Sequence, residues 1–309
     1  MIEKRSVGAI DIGSNAVRML IADVEDYTGT VTYKKTAFLR VPIRLGEDVF
    51  VRGRIGEEKQ RRLCEAMQGF VHVMNAYGVE LRRACATSAM REAANGPQTV
   101  RMIRECSDVR VEIISGQEEA DLIFSGGMRS LMDPAGSYLL VDVGGGSTEV
   151  TVYAGRRRVD SRSFSLGTVR MLSGAVPDGE CDRFREWLRQ AAFDYAPTTI
   201  IGSGGNINKA QKFMGRKEKE AISLGDLKSL YGRIKSLSYE ERIHKMGMNT
   251  YRADVIVPAL KIFLTAAKSS RVERFVVPKL GLVDGIVHRL YREAVPAAAD
   301  EPERTEEEI

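Results

Sequence analysis

The sequence predicts a mixed α/β protein made of two related domains. Two segments carry this prediction: apolar strands that end in Asp-x-Gly, Ile10–Gly13 and Val141–Gly144, each of which turns straight back into a second apolar strand. Helical patterns follow each segment, as expected where helices cover a sheet. Hydrophobic residues make up 43% of the 309 residues and charged residues 28%, a composition that can bury real cores and excludes general disorder.

The first half of the chain alternates strands with helices. Strand patterns occupy residues 7–23 and 31–44, and helical spacing over residues 57–77 places four apolar side chains on one face: Leu63, Met67, Phe70 and Met74. The segments that follow are a strand at 81–88, helices opening near 86 and at 98–106, a strand at 109–115 and a helix at 116–130.

The second half begins again with an apolar strand after the Asp133–Gly136 turn. Its predicted elements are strands at 138–143, 147–155, 198–205 and 274–281, and helices around 182–192, through 206–240, at 252–268 and at 282–294. We therefore predict a first domain over residues 1–127, a second over residues 128–295, and an acidic disordered tail over residues 296–309. The tail carries a net charge of −5, which leaves +9 on residues 1–295.

Several classes of protein are excluded by the same survey. No run approaches 18 apolar residues and the N-terminus has no signal-peptide core, so we expect a cytoplasmic protein that does not bind a membrane. The four cysteines, Cys64, Cys85, Cys106 and Cys181, contain no Cys-x-x-Cys pair and are expected as reduced thiols. Only three histidines occur, far apart in the sequence, so we do not expect a histidine-based zinc site.

Three glycine-rich turns follow apolar strands and are candidate phosphate sites. They contain, in order, Gly13-Ser14-Asn15, then Gly144-Gly145-Gly146-Ser147-Thr148, then Gly202-Ser203-Gly204-Gly205-Asn206. Glycine lets a backbone approach a phosphate closely, and consecutive N–H groups can cradle the anion. The alternative is that these are tight turns without a ligand, since hairpins use glycine routinely.

Three carboxylates accompany these turns. Asp11 and Asp142 are at the strand tips, and Glu149 is just inside the returning strand. A hard cation such as Mg²⁺ takes oxygen ligands and phosphates together, so these residues are candidate metal ligands. For Asp11 an Asx turn that stabilises the hairpin is the alternative.

Six segments together resemble the exopolyphosphatase / guanosine pentaphosphate phosphohydrolase family. They are AIDIGSNAVRMLIADV, ATSAMREAANG, EIISGQEEADLIFSGG, LLVDVGGGSTEV, SFSLGTVRM and IIGSGGNINKA, in the order of that family and covering nearly the whole chain. The resemblance is to the short form, without a C-terminal helical domain. Two departures are Gly281–Gly285, which reads G-L-V-D-G where the family has G-L-R-E-G, and G-S-G-G-N in place of a G-T-S-G-T turn.

The resemblance implies two ribonuclease-H-like domains of the actin-like ATPase superfamily, with a phosphate cleft between the domains. It also implies Mg²⁺-dependent release of the terminal phosphate from inorganic polyphosphate or guanosine pentaphosphate, in the setting of the stringent response. The catalytic base then corresponds to Glu119, with Asp142 and Glu149 as metal or water-positioning carboxylates. Asp11, Ser14, Asn15 and Arg91 correspond to the first phosphate site.

The residues themselves separate Glu119 from its neighbour Glu118. Ser115 and Glu118 fit a capping box, which occupies Glu118 in structure and leaves Glu119 available as a base. The alternative for Glu119 is a solvated helix residue. Thr87 or Ser88 would cap the next helix upstream and put Arg91 in its first turn, where a bound anion would favour it; a salt bridge is the alternative.

The function expected is exopolyphosphatase, with guanosine pentaphosphate hydrolysis on the same machinery as the alternative. A kinase of the same superfamily would need an acceptor site, for which the sequence has no motif. A non-catalytic binder of polyphosphate or alarmone would keep the phosphate cradle without turnover. We expect a homodimer, and no nucleic acid among the partners.

Overall fold

The computed structural model describes residues 2–27, 30–218 and 220–295 of the chain. These residues divide into two units. The first unit holds the described residues up to Leu131 together with those from Gly281 onward, and the second unit holds Met132–Leu280. The predicted acidic tail, residues 296–309, lies outside the described residues.

The first unit is a sheet with helices. Its strands are β1 (Ile2–Ile12), β2 (Val17–Tyr27), β3 (Thr30–Val41), β4 (Leu81–Ala86) and β5 (Val111–Ile113). Its helices are α1 (Leu45–Arg52), α2 (Glu57–Ala76), α3 (Ser88–Glu92), α4 (Gly96–Ser107), α5 (Gly116–Ser125) and, after the second unit, α13 (Leu282–Ala294), with a 3₁₀ turn at Met128–Leu131. The helical spacing of residues 57–77 is confirmed, because the four predicted apolar side chains of α2 are buried in the core.

The second unit repeats this plan with more helices. Its strands are β6 (Ser137–Val143), β7 (Thr148–Ala154), β8 (Arg157–Phe164), β9 (Thr199–Ser203), β10 (Ile222–Ser223) and β11 (Arg274–Val276). Its helices are α6 (Thr168–Leu172), α7 (Glu180–Tyr195), α8 (Gly205–Phe213), α9 (Leu224–Ser236), α10 (Tyr239–His244), α11 (Thr250–Ala253) and α12 (Ile256–Ser270). None of the helices within the described residues is long and apolar enough to span a membrane.

The two sheets share one topology. The first has the order β3-β2-β1-β4-β5, and the second contains β8-β7-β6-β9-β11 with β10 added at the edge. In both, the first three strands are antiparallel and the last two run parallel to the first. The prediction of two related α/β domains is confirmed. Because the first strand is central in each sheet, its C-terminal tip and the tip of the adjacent parallel strand open on the same edge.

The predicted domain boundary differs from the structure at both ends. The division lies at Leu131 rather than at residue 127, and α13, which we predicted in the second domain, belongs to the first unit. The reason is close packing of α13 against α5. A methyl group on Gly285 would lie 1.8 Å from the carbonyl oxygen of Leu122, and one on Gly126 would lie 3.0 Å from the Gly285 nitrogen. Only glycines allow these two helices to touch backbone to backbone.

Asp284, one of the two residues of Gly281–Gly285 that depart from the family pattern, fixes the start of α13. The Asp284 carboxylate accepts a hydrogen bond of 2.9 Å from the Gly281 backbone N–H, and it also pairs with Lys35 of β3 at 2.6 Å. Burial raises the pKa of Asp284, and Lys35 opposes that shift. The aspartate therefore caps α13 and attaches it to the sheet of the first unit.

The cysteines differ from expectation. Cys64 of α2 and Cys106 of α4 form a disulfide, whereas Cys85 and Cys181 are free thiols. The expectation of four reduced thiols is therefore wrong for Cys64 and Cys106. Burial raises the pKa of the Cys85 thiol to about 12, which keeps it protonated and unreactive at neutral pH.

Because α5 and α13 are in close contact, we predict that one methyl group added at Gly285 destabilises the protein. Gly285→Ala forces α13 away from the Leu122 carbonyl, so the free energy of unfolding should fall by about 1–3 kcal/mol. Gly69→Ala is the matched control, because Gly69 is an exposed helical glycine of α2 with no atom within 4 Å of the added methyl. That control should gain up to about 1 kcal/mol from helix propensity. Urea denaturation measures both, and an unchanged Gly285→Ala would contradict the packing argument.

Candidate active site

The second-unit turn (residues 144–147) connects β6 to β7 and is held through its carbonyl groups. The Gly144 N–H donates to the Ser147 carbonyl at 3.0 Å and closes the turn. The first N–H groups of α6 then take the other carbonyls: Thr168 donates to Gly144 at 3.0 Å and Val169 to Gly145 at 2.8 Å. The Gly146 carbonyl accepts from the Arg170 guanidinium at 2.7 Å.

The N–H groups of this turn after Gly144, unlike its carbonyls, are left without hydrogen-bond partners in the described chain. Within the described residues, those of Gly145, Gly146 and Ser147 donate to no acceptor. Because the carbonyls are bound on the α6 side, the dipoles of the turn point their positive ends away from α6. Such an array of consecutive free N–H groups is suited to a phosphoryl oxygen, as the sequence predicted for these glycines.

A glycine that the sequence analysis did not assign makes this arrangement possible. Gly167 precedes α6, and a methyl group there would lie 2.4 Å from the Gly146 carbonyl carbon. No other residue lets α6 approach the turn so closely. Gly167 and Arg170 both belong to the segment SFSLGTVRM, so the sequence contained the signal without showing its reason.

Asp142 and Glu149 are directly opposite each other in the β6–β7 ladder. Directly paired residues of antiparallel strands project from the same face, and one carboxylate oxygen of each lies within 4.8 Å of the other. Ser163 of β8 donates a hydrogen bond of 2.9 Å to Glu149, whose side chain is 3% exposed. Two carboxylates beside an N–H-lined turn are the donor set that a hard divalent cation prefers, so this acidic pair could hold a metal ion.

The third glycine turn lies against the same carboxylate. Ser203 pairs with Asp142 in the parallel β6–β9 ladder, and a methyl on Gly204 would be 3.5 Å from an Asp142 carboxylate oxygen. The φ angle of Gly204 is +106°, which only glycine adopts readily. Gly205 then begins α8. Of the two predicted glycines, Gly204 therefore lies beside Asp142, whereas Gly205 lies against Arg252.

Arg252 of α11 was not found from the sequence. Its guanidinium donates to the Gly205 carbonyl and also reaches the Asn206 side chain at 3.3 Å. A half-buried cation at this place adds positive charge to the glycine-lined edge. No sequence signal identifies Arg252, because 46 residues separate it from Asn206.

Thr148 has a packing role. It is fully buried, and its hydroxyl donates its single hydrogen to the Leu166 carbonyl. The hydroxyl hydrogen is therefore used inside the unit and is not available to a phosphate. Ser147, by contrast, contributes one of the free N–H groups of the turn.

The first-unit turn (residues 13–16) has the same construction. The Gly13 N–H donates to the Ala16 carbonyl at 3.1 Å, and the Ser14 and Asn15 carbonyls accept from the chain that enters α1 at 2.9 and 3.1 Å. The Ser14 hydroxyl accepts from the Ala89 N–H at 3.2 Å and so caps α3, which neither Thr87 nor Ser88 caps with its side chain. The Asn15 side-chain oxygen is buried without a hydrogen-bond partner in the described chain.

Asp11 occupies the position in the first unit that Asp142 occupies in the second, but its cross-strand partner differs. Asp11 pairs with Arg18 in the β1–β2 ladder and forms a salt bridge with it, where Asp142 faces Glu149. Burial raises the pKa of Asp11, and Arg18 opposes that shift. A resident cation takes the place of the second carboxylate, so the local charge disfavours a metal ion at this predicted ligand.

Arg91 does not stand in the first turn of its helix. The helix α3 has only five residues, and Arg91 is the fourth, in the last turn. Its guanidinium is exposed and donates to the Ile114 carbonyl at 2.7 Å. The helix-dipole argument for an anion at this residue therefore fails, because a cation near a helix C-terminus is favourable by itself.

The neighbouring glutamates of α5 are separated as expected, but by a different contact. The Ser115 hydroxyl accepts from the Glu118 N–H at 3.1 Å, which is half of a capping box. The Glu118 carboxylate instead interacts with Arg83 of β4 at 3.2 Å. Glu119 is 7% exposed, so it is not a solvated helix residue. The alternative of a solvated residue is therefore excluded, and Glu119 stays the predicted base.

Two units of shared topology, each with a glycine turn after its first strand, define the two-domain actin-like ATPase fold. The Ppx/GppA phosphatase family matches residues 30–293, and the chain belongs to that family. The predicted resemblance is confirmed. The protein is therefore a phosphohydrolase that acts on phosphoric anhydride bonds.

Individual relatives align with this chain over most of its length and over most of their own. The chain is 24% identical to exopolyphosphatase 1 of Mycobacterium leprae over 92% of this chain and 88% of that protein. Among solved structures, an exopolyphosphatase from Cytophaga hutchinsonii aligns with a TM-score of 0.80 at 23% identity, covering 94% of this chain and 97% of the other. An Aquifex aeolicus member of the family aligns with a TM-score of 0.75 at 23% identity, covering 95% and 99%.

The contact between Gly167 and the second-unit turn predicts a loss of function from one methyl group. Gly167→Ala displaces α6 and releases the carbonyls that orient the turn, so kcat for phosphate release should fall by roughly 10²-fold, as on loss of an oriented donor. The control is Gly232→Ala, at an exposed glycine of α9 with open space around it, which should keep wild-type kcat. Equal activity of both variants would exclude a role for the α6 contact.

Proposed function

We propose that the protein is a Mg²⁺-dependent exopolyphosphatase that releases terminal orthophosphate from inorganic polyphosphate. The observation that supports this most is the second unit's turn of free N–H groups beside the Asp142–Glu149 carboxylate pair. An N–H cradle accommodates a phosphoryl group, and paired carboxylates accommodate a cation that neutralises it. The name of the Mycobacterium leprae relative supports the choice of polyphosphate.

The proposed reaction is attack of water on the terminal phosphorus. The N–H groups of Gly145, Gly146 and Ser147 hold phosphoryl oxygens, and Glu119 accepts the proton that the attacking water loses. A new P–O bond forms to the water oxygen while the anhydride P–O bond breaks, and the shortened chain leaves with its oxygen negatively charged. Bound Mg²⁺ would supply positive charge for the phosphoryl oxygens and the leaving oxygen.

The proposed site is narrower than the set expected from the sequence. Ser14, Asn15 and Arg91 of the first unit, and Gly144, Gly204 and Gly205 of the second, stay predicted phosphate-site residues. We leave Thr148 and Asp11 out, because their polar groups are engaged by Leu166 and Arg18. The homodimer, the cytoplasmic location and the absence of nucleic acid among the partners stay predictions.

A side-by-side assay tests the substrate. Phosphate release is measured with Mg²⁺ from long polyphosphate, tripolyphosphate, guanosine pentaphosphate and ATP. We expect the highest kcat/KM on polyphosphate. Preference for guanosine pentaphosphate would favour the alternative activity that the sequence resemblance implies. Binding of either substrate without release would make the protein a non-catalytic binder.

Replacing each of the two adjacent glutamates separately tests which of them is the catalytic base. Glu119→Gln keeps the size of the side chain but cannot accept a proton, so kcat should fall by roughly 10²–10⁴ with KM little changed. Glu118→Gln, the matched control on the same helix, weakens only the half-buried pair with Arg83 and should keep kcat within a few-fold. The reverse pattern would assign the base to Glu118.

Charge removal at the acidic pair tests the metal site without relying on turnover. Mg²⁺ that binds the folded protein should raise its melting temperature, and the double variant Asp142→Asn/Glu149→Gln should lose most of that rise. Asp178→Asn/Glu186→Gln removes the same charge at exposed positions of the same unit and should keep it. An equal rise in all three proteins, with phosphate release surviving EDTA, would remove these carboxylates from metal binding.

A further inference from the structure

A cavity of about 300 Å³ lies on the first unit, away from its glycine turn. Ile10, Ala84 and Val109 form part of its lining, and all three are buried in the core of that unit. The remaining lining residues are Arg82, Arg83, Arg104, Asp108 and Arg110. Four arginines around one small cavity are unusual, because like charges repel unless a counter-charge is near.

Three of these arginines form no ion pair with a carboxylate of the described chain. They are Arg82, Arg104 and Arg110, all of which are exposed. They come from three separate elements: β4, the last turn of α4, and the entry to β5. Convergence from separate elements distinguishes the cluster from a solvated helix face.

The other two charged residues do not cancel this charge. Arg83 is neutralised elsewhere, since it pairs with Glu112 at 2.7 Å and Glu118 at 3.2 Å. Asp108, at the end of α4, is the one carboxylate in the lining. Against three unpaired guanidinium groups it leaves the cavity with a net positive charge of about two, by simple counting at neutral pH.

The cavity is separate from the turn of the same unit. Arg82 precedes Ala86 by four residues along β4, about 13 Å at the usual rise of a strand. Ala86 pairs with Ile12, next to the turn, whereas Arg82 pairs with Gly8. An anion held by Arg82 is thus held far from Ser14 and Asn15.

We infer that this arginine cavity is a second anion site, which binds a segment of a phosphate chain. One guanidinium group can donate two hydrogen bonds to the oxygens of one phosphate. Three guanidinium groups on different elements can therefore hold successive phosphates of a chain. A volume of about 300 Å³ is at the lower limit of ligand sites, which suits a short run of phosphates better than a nucleotide with its base. The choice of a phosphate chain rests on the proposed function, and the anion site itself does not.

A second site changes how a long substrate is held. A chain bound in the cavity keeps its remaining length at high local concentration, so long chains bind more tightly than short ones without any new contact at the reacting phosphate. A substrate too short to reach the cavity gains nothing. The structure thus assigns the cavity to chain-length preference and not to catalysis.

The test compares two double variants with equal loss of charge. Arg82→Gln/Arg104→Gln alters the cavity, and Arg189→Gln/Lys261→Gln removes two exposed charges from α7 and α12 of the second unit. Binding of fluorescently labelled long polyphosphate is measured by anisotropy in EDTA, over a range of salt concentrations. Phosphate release with Mg²⁺ is measured on long polyphosphate and on the shortest chain that the wild type hydrolyses, and binding of guanosine pentaphosphate is measured in parallel.

We expect the cavity variant to bind long polyphosphate at least 10-fold more weakly than the control variant. Its slope of log K against log salt should be smaller by about 1.4, since each lost contact to a flexible polyanion removes about 0.7. Its KM for the shortest chain should match that of the control. Arg82→Lys/Arg104→Lys should restore most of the salt slope, because it restores the charge.

Three results would overturn the inference. The first is equal binding of long polyphosphate by the cavity and control variants. The second is a rise in KM for the shortest chain as large as the loss of long-chain binding. The third is a loss of binding confined to guanosine pentaphosphate, which would make the cavity a nucleotide site. Failure of the proposed function has a different signature: polyphosphate is bound by the wild type and lost by the cavity variant, and yet no phosphate is released from it.

Discussion

The capture of turn carbonyls by neighbouring backbone N–H groups is the interaction on which both units depend. In the second unit the start of α6 takes the carbonyls of the turn, and in the first unit the chain that enters α1 does so. A peptide group whose carbonyl is fixed on one side presents its N–H on the other. The anion-binding character of each turn therefore depends on a neighbouring segment rather than on glycine alone. Glycine is needed at Gly167 for closeness, not for an unusual φ angle.

The shared topology shows how one plan acquired two chemical characters. In both sheets the aspartate before the turn faces the residue seven positions later, across an antiparallel pair. That residue is Arg18 in the first unit and Glu149 in the second. The first pair is a salt bridge that neutralises itself, whereas the second concentrates negative charge and invites a cation. One difference in side chain at equivalent positions thus separates a salt bridge from the carboxylate pair for which we propose metal binding.

Local patterns were sufficient for most of the fold. The strand–turn–strand segments and the buried face of α2 follow from spacing over fewer than about 20 residues. The contact that engages the Glu118 carboxylate does not, because Arg83 is 35 residues away. Arg91 was misplaced because α3 ends after five residues, a boundary that spacing does not define. Arg252 and the position of α13 could not be predicted, since their contacts join residues far apart in the sequence. The hydrogen bond that engages the Thr148 hydroxyl could not be predicted either, because its acceptor, the Leu166 carbonyl, is 18 residues away.

The membership of α13 in the first unit has a consequence for synthesis. The second unit is one continuous stretch, Met132–Leu280, and the first is completed only by residues that follow it. Every residue of the second unit is therefore synthesised before α13. Until then the helix that carries Glu119 lacks the backbone contact at Gly285, although its own residues emerged long before. Since domains fold as units, the first unit cannot complete its packing until α13 has been made, although most of its residues are synthesised first.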